Sequence, residues 1–247
     1  MIGTVFHTSR LEQSSICVKL TGVATRTTRA VRRTDALSKQ RITQAAIELL
    51  DTGGETALTF RSLAAHLATG SGAIYHHVAN KDDLLAAATN DVIARVVTEA
   101  ADDADPREAI RTVALGVFDA IDAHPWLGAV LSRTPSLVAM PQLFEGFGGQ
   151  LQALGVPERA LFDSASALVS YTLGVAGQNA ANANLFPPGV TDRAAFLGEA
   201  AERWTQLDPA RYPFVHKIAA QLADHDDREQ FLAGIDLILA GTAALTP

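Results

Sequence analysis

Two adjacent histidines, His76 and His77, follow Tyr75 in the stretch GSGAIYHHVANKDD at residues 70–83. Paired imidazoles can hold a metal or move protons, so this is where chemistry would first be sought. On a helix, neighbouring side chains point about 100° apart, and the pair that grips one ion stands four residues apart, as in HExxH. That motif is absent. His124, His216 and His225 are scattered, and the acids around His225 (Asp224, Asp226, Asp227) read as a solvated acidic stretch. There is no GxSxG, no CxxC, and no glycine-rich phosphate cradle after a strand pattern. The residues therefore predict no catalytic group, no metal and no cofactor.

The elements around the histidines point elsewhere. Ser38 is placed to cap a helix whose Ile42, Ala45, Ala46 and Leu49 share a face, stopping at Gly53-Gly54. Thr59 caps a second, shorter segment with Leu63 and Leu67 one turn apart. A tight turn around Thr69-Gly70-Ser71 leads to a third short helix, Gly72 to Val78, with Ile74 and Val78 inward and Ala79-Asn80 breaking it. Ala64, Ala65 and Ala68 would let the last two helices cross closely. Two short helices joined this tightly form a helix-turn-helix. Ser71, Gly72, Ala73, Tyr75 and His76 then lie outward, where a helix entering the major groove meets base edges and phosphates. Tyr75 and His77 can donate to phosphates, and Arg61 and Lys81 supply charge.

Asn80 caps a long fourth helix with Asp82 and Asp83 in its first turn and Leu84, Leu85, Ala88, Val92, Val96 and Val97 as its apolar positions. Further helices are predicted from Pro106 to Pro125, at 126–132 and 139–154, from Pro157 to about 183, at about 191–204, from near Tyr212, and over 229–243. No alternating strand pattern of useful length occurs, so the fold class is all-α.

The net charge of −7 is unevenly spread: residues 1–81 hold ten Lys or Arg against five Asp or Glu, and residues 82–247 hold ten against 22. That predicts a small basic module on a larger acidic one. Three parts follow: a basic extension over 1–35, whose Arg26, Arg29, Arg32 and Arg33 could lie against a polyanion, a DNA-binding unit over 36–81, and a helical unit over 82–247. With 48% hydrophobic and 19% charged residues the chain is too apolar for general disorder. The lone Cys17 excludes an internal disulfide and fits a reducing compartment. No apolar run of membrane-spanning length and no signal-peptide pattern is read, so a cytoplasmic protein with no membrane partner is expected.

Residues 38–93 resemble the DNA-binding domain of the TetR family of transcriptional regulators. The diagnostic run matches at Gly72, Ala73, Ile74, Tyr75, His77, Val78 and Lys81, followed by Asp82, Leu84 and Leu85. An upstream run matches at Leu58, Thr59, Arg61, Leu63 and Ala64. The resemblance implies an all-helical homodimer with no enzyme activity that binds a double-stranded, palindromic operator and a small-molecule effector. It also implies DNA contacts from Thr59, Arg61, Ser71, Gly72, Ala73, Tyr75, His76, His77 and Lys81. The turn departs from the family pattern: Ala68-Thr69-Gly70 stands where Gly-Val-Ser is usual, which removes backbone freedom at Ala68 and a capping hydroxyl at Gly70. The C-terminal part is loosely similar to the tetracycline-responsive branch, but Val97, Leu131 and Gln178 stand where that branch holds its drug and magnesium, so tetracycline is not the expected effector.

Dimerisation is expected through the helices at 158–183 and 227–243. Phe118, Trp126, Phe144, Phe147, Tyr171 and Asn179 are the candidate effector-binding residues, and their character predicts a largely apolar ligand. The alternative is a helical small-molecule-binding or interaction protein whose helix-turn-helix no longer reads DNA.

Overall fold

The computed structural model describes residues 37–100, 105–133, 138–183, 193–222 and 225–245. The chain opens with α1 (Lys39–Ala57), where the Ser38 side chain accepts from Arg41 N at 3.2 Å and Ile42, Ala45, Ala46, Ile47 and Leu50 turn inward. Gly53 and Gly54 leave helical geometry, Gly54 at φ 62°, so the helix breaks where the glycine pair predicted and adds one last turn. In α2 (Phe60–His66), Thr59 and Ser62 form a reciprocal capping box. The next helix, α3 (Ser71–Tyr75), is shorter than the sequence predicted. The Ile74 carbonyl accepts from both His77 N (2.9 Å) and Val78 N (3.1 Å), which closes the helix. Asn80 Oδ1 accepts from Asp83 N (2.8 Å) and Asp83 Oδ2 accepts from Ala79 N (3.2 Å), which starts α4 (Lys81–Ala100) at once.

The bundle continues with α5 (Pro106–Ala123), capped by Asp105, α6 (Pro125–Arg133), α7 (Ala139–Ala153) and the 26-residue α8 (Glu158–Ala183). It ends with α9 (Arg193–Thr205), α10 (Pro213–Leu222) and α11 (Asp227–Ala243), the last capped by Asp226. No strand occurs among the described residues, and no helix among them is long and apolar enough to cross a membrane.

The long α8 packs on α5, α6, α7 and α11, and α4 runs against α5, α7 and α1. A Cβ on Gly116 would stand 2.6 Å from Val96 Cγ1, so α4 and α5 approach over a glycine. The core joins Ile93, Ile110, Val117, Ile121, Leu127, Phe147, Leu168, Phe231 and Ile235, all buried. From Ser38 onward the described residues form one compact unit, with α1 packed on both α4 and α6. The expected extension over 1–35 lies outside the described residues.

Candidate nucleic-acid interface

Where the sequence predicted three small residues at the crossing of α2 and α3, only Ala64 is buried, while Ala65 and Ala68 are exposed. The turn itself depends on Ala68, which adopts φ 50°, a left-handed conformation that costs an L-residue roughly 1–2 kcal/mol. At the start of α3, Gly70 is the N-cap and no side chain caps the helix, so neither Thr69 nor Ser71 replaces the missing hydroxyl.

Within α3, Ile74 and the following Val78 are buried, and Ser71, Gly72, Tyr75, His76 and His77 are exposed, with Ala73 half-buried. This is the inward and outward division that the spacing predicted. The Tyr75 ring stacks on Phe60 of α2 at a centroid distance of 4.2 Å and 11° between planes, which fixes it while leaving it 54% exposed. Tyr75, His76 and His77 line one open groove with Lys39, Ala79, Asp83 and Asn90. The sequence reading missed Lys39, because only the packing of α1 against α4, which follows α3, brings it there.

Two of the predicted contacts have structural duties. The Thr59 hydroxyl is part of the α2 capping box, accepting from Ser62 N at 3.0 Å. The Lys81 ammonium donates to the Glu55 carbonyl and joins α4 to the end of α1. Arg61 is exposed and makes no ion pair among the described residues.

The head over 38–81 carries four Lys or Arg and three Asp or Glu, so its formal charge is small. Its acids, however, are all engaged. Glu48 meets His66 at 2.8 Å. Asp51 Oδ1 accepts from Trp126 Nε1 and bonds His124 Nδ1, both at 2.7 Å. Glu55 pairs with Arg133. Lys39 and Arg61 are exposed to solvent, and Arg133 of the bundle offsets the charge of Glu55, so the outward surface of the head is more positive than its own formal charge.

The model for bacterial regulatory proteins of the tetR family matches residues 42–88, and the model for the tetracyclin repressor-like C-terminal domain matches residues 100–246. The chain belongs to the TetR family. It is a DNA-binding transcriptional regulator and not an enzyme. The transcriptional regulator SCO7222, a TetR from Streptomyces coelicolor, is 52% identical, with 86% of this chain and 100% of that one covered and a TM-score of 0.78. The HTH-type transcriptional repressor DrrR1 of Streptomyces coeruleorubidus is 26% identical over 220 residues, covering 85% of this chain and 78% of that protein. An HTH-type transcriptional regulator of Saccharopolyspora erythraea is 29% identical over 141 residues, 56% of this chain, which spans 59% of that protein's length.

The expected effector residues of this TetR-family chain do not gather around one space. Phe118 and Phe147 are buried, the former on Phe231 at 4.8 Å. Trp126 is buried and committed to Asp51. Phe144 stacks with Phe162 at 6.2 Å. Tyr171 packs on Phe231 and donates to the Phe231 carbonyl at 3.2 Å. Asn179 does line a cavity, together with Trp204 and His225, which the sequence reading did not select. Large apolar side chains fill a core before they line a cavity. Among the described residues, no group of three or more His, Cys, Asp or Glu is arranged to hold a metal ion.

Proposed function

We propose that this regulator is a homodimeric repressor that docks α3 into the major groove of a near-palindromic operator and is released by a small molecule. The observation that carries the reading is the exposed surface of α3, with Tyr75 braced on Phe60 and His76, His77 and Lys39 in one groove, on a head whose carboxylates are each held by a hydrogen bond or ion pair. Ser71, Gly72 and Ala73 are small enough for close approach to base edges, and Tyr75, His76, His77 and Arg61 are assigned to bases and phosphates. Thr59 and Lys81 keep the roles of positioning residues with backbone contact in reach. Repression is supported by the likeness to DrrR1, whose name makes it a repressor.

Pairing is assigned to α8 and α11. Their outward positions include Ala167, Gly174 and Ala181 on α8 and Ala233, Leu237 and Ala240 on α11, all exposed, and Leu237 is 75% exposed. Small side chains let helices of two subunits approach, and an unpaired leucine on such a face gains by burial. A two-fold dimer would set its α3 helices about 34–36 Å apart, one turn of B-DNA.

The test is fluorescence anisotropy on duplex DNA from the region upstream of the gene, over a range of salt. Specific binding should weaken steeply with salt, and Arg61→Ala should lower the slope of log affinity against log salt by about 1 for each phosphate no longer neutralised. Binding that ignores salt, or no preference for any upstream site over random duplex, would sink the repressor reading. The competing reading, an interaction protein with a degenerate helix-turn-helix, draws on the strained Ala68 and the uncapped α3. The same experiment separates the two.

A further inference from the structure

We infer that the cleft between α8, α9, α10 and the start of α11 is the effector site, and that it takes a neutral, planar aromatic molecule bearing hydroxyl and carbonyl groups. The effector role rests on the repressor reading, whereas the binding chemistry stands on the cleft alone. The cavity measures about 380 Å³, within the range of roughly 300–1,000 Å³ that small-molecule sites occupy. Val175, Leu197 and Leu222 give it apolar walls, and Trp204 gives it an indole. Gln178, Asn179 and Asn182 of α8 and Gln230 of α11 supply four amides.

Those amides decide the ligand's character. Each offers both a donor and an acceptor, and the side chains of Gln178, Asn179 and Asn182 make no hydrogen bond to other described residues. A hydrocarbon tail would bury them unpaired, at roughly 1–3 kcal/mol for each group, so a fatty acyl ligand is disfavoured. Among the described residues no Lys or Arg lines the cleft, and its histidine, His225, is paired with Asp227 at 3.0 Å. A carboxylate or phosphate would therefore meet no uncommitted cation, and a strongly cationic ligand would have to compete for Asp227. A neutral molecule with acceptors and donors around its rim, and a flat face for Trp204, satisfies every wall. This departs from the largely apolar effector that the sequence predicted. The site lies between α8, which packs on four other bundle helices, and α9 and α10, which pack on each other.

Equilibrium dialysis of the full chain against umbelliferone, naringenin and chrysazin, below the pH at which their phenols ionise, tests the chemistry. Decanoate serves as the apolar, anionic competitor. Saturable binding of at least one probe is expected, weakened roughly tenfold or more by Asn179→Leu with Asn182→Leu, as the removal of two hydrogen bonds implies. Trp204→Ala should weaken it too. Asn182→Leu alone, at an exposed position, gives a further variant if the double substitution unfolds the chain. The bound probe should lower operator affinity in the wild type and not in the variants. No saturable binding by any probe, unchanged affinity in the variants, or displacement by decanoate at equal strength overturns the ligand assignment. Binding that leaves operator affinity untouched overturns the effector role. Failure of the probe-free protein to bind its upstream DNA instead removes the repressor reading, and dialysis still reports on the cleft.

Discussion

At the scale of single residues, the helix-turn-helix of this chain is held together by an alanine in a conformation that suits glycine. Ala68 sits at φ 50°. Glycine would remove the Cβ clash of roughly 1–2 kcal/mol but bring back some chain entropy in the unfolded state. Ala68→Gly is therefore expected to stabilise the protein by about 0.5–1 kcal/mol, read as a higher urea midpoint at unchanged slope. A loss of stability would mean that the turn is not the one described. Tyr171 gives a second residue-scale test. Burial pushes its phenol above the ordinary tyrosine range. The neutral form is the one the fold favours, so the contribution is complete below the unfolded value of about 10 and fades as pH rises through the higher folded value. In an absorbance titration one of the three tyrosines should ionise late, and Tyr171→Phe should delete that phase.

Between elements, the close crossing of α4 and α5 is the joint that connects the head to the bundle. With a Cβ at Gly116 reaching 2.6 Å from Val96 Cγ1, Gly116→Ala must push α4 away or force Val96 off its rotamer, an overpacking cost of typically 1–3 kcal/mol. Adding Val96→Ala should recover much of that stability, and a thermal-melt double-mutant cycle would read the coupling. Additive losses would place the two side chains apart. The second joint is polar: Asp51 of α1 holds both Trp126 and His124 at the α5–α6 corner, and Glu55 holds Arg133. A motion of α6 thus meets the head through directed bonds as well as through packing.

For the whole molecule, the decisive quantity is the spacing of two heads, which one chain cannot set. If α8 and α11 form the two-fold interface, Leu237→Glu would place a charge in its centre on each subunit. Sedimentation should then show a monomer, and operator affinity should fall at least tenfold because a monomer grips only one half-site. A variant that stays dimeric would move the interface elsewhere. Charge acts at this scale too. The basic balance of residues 1–81 comes mainly from residues 1–35, with six Lys or Arg against two acids, while in the described head Glu48 is held by His66, Asp51 by Trp126 and Glu55 by Arg133.

Local signals determined much by themselves. The caps at Ser38, Thr59 and Asn80, the glycine pair at 53–54 and the alternation of Ile74 and Val78 with Tyr75 and His76 are properties of neighbouring residues, so the helices, the helix-turn-helix and the outward surface of α3 were legible before any packing was known. Residues far apart in the chain were not. Lys39 beside the histidines, Asp51 on Trp126 and the amide-lined cleft with Trp204 and His225 exist only because distant helices meet. Periodicity says which side of a helix is buried, but whether a buried aromatic ring fills a core or faces a cavity depends on what the rest of the chain leaves empty, and only the tertiary structure decides that.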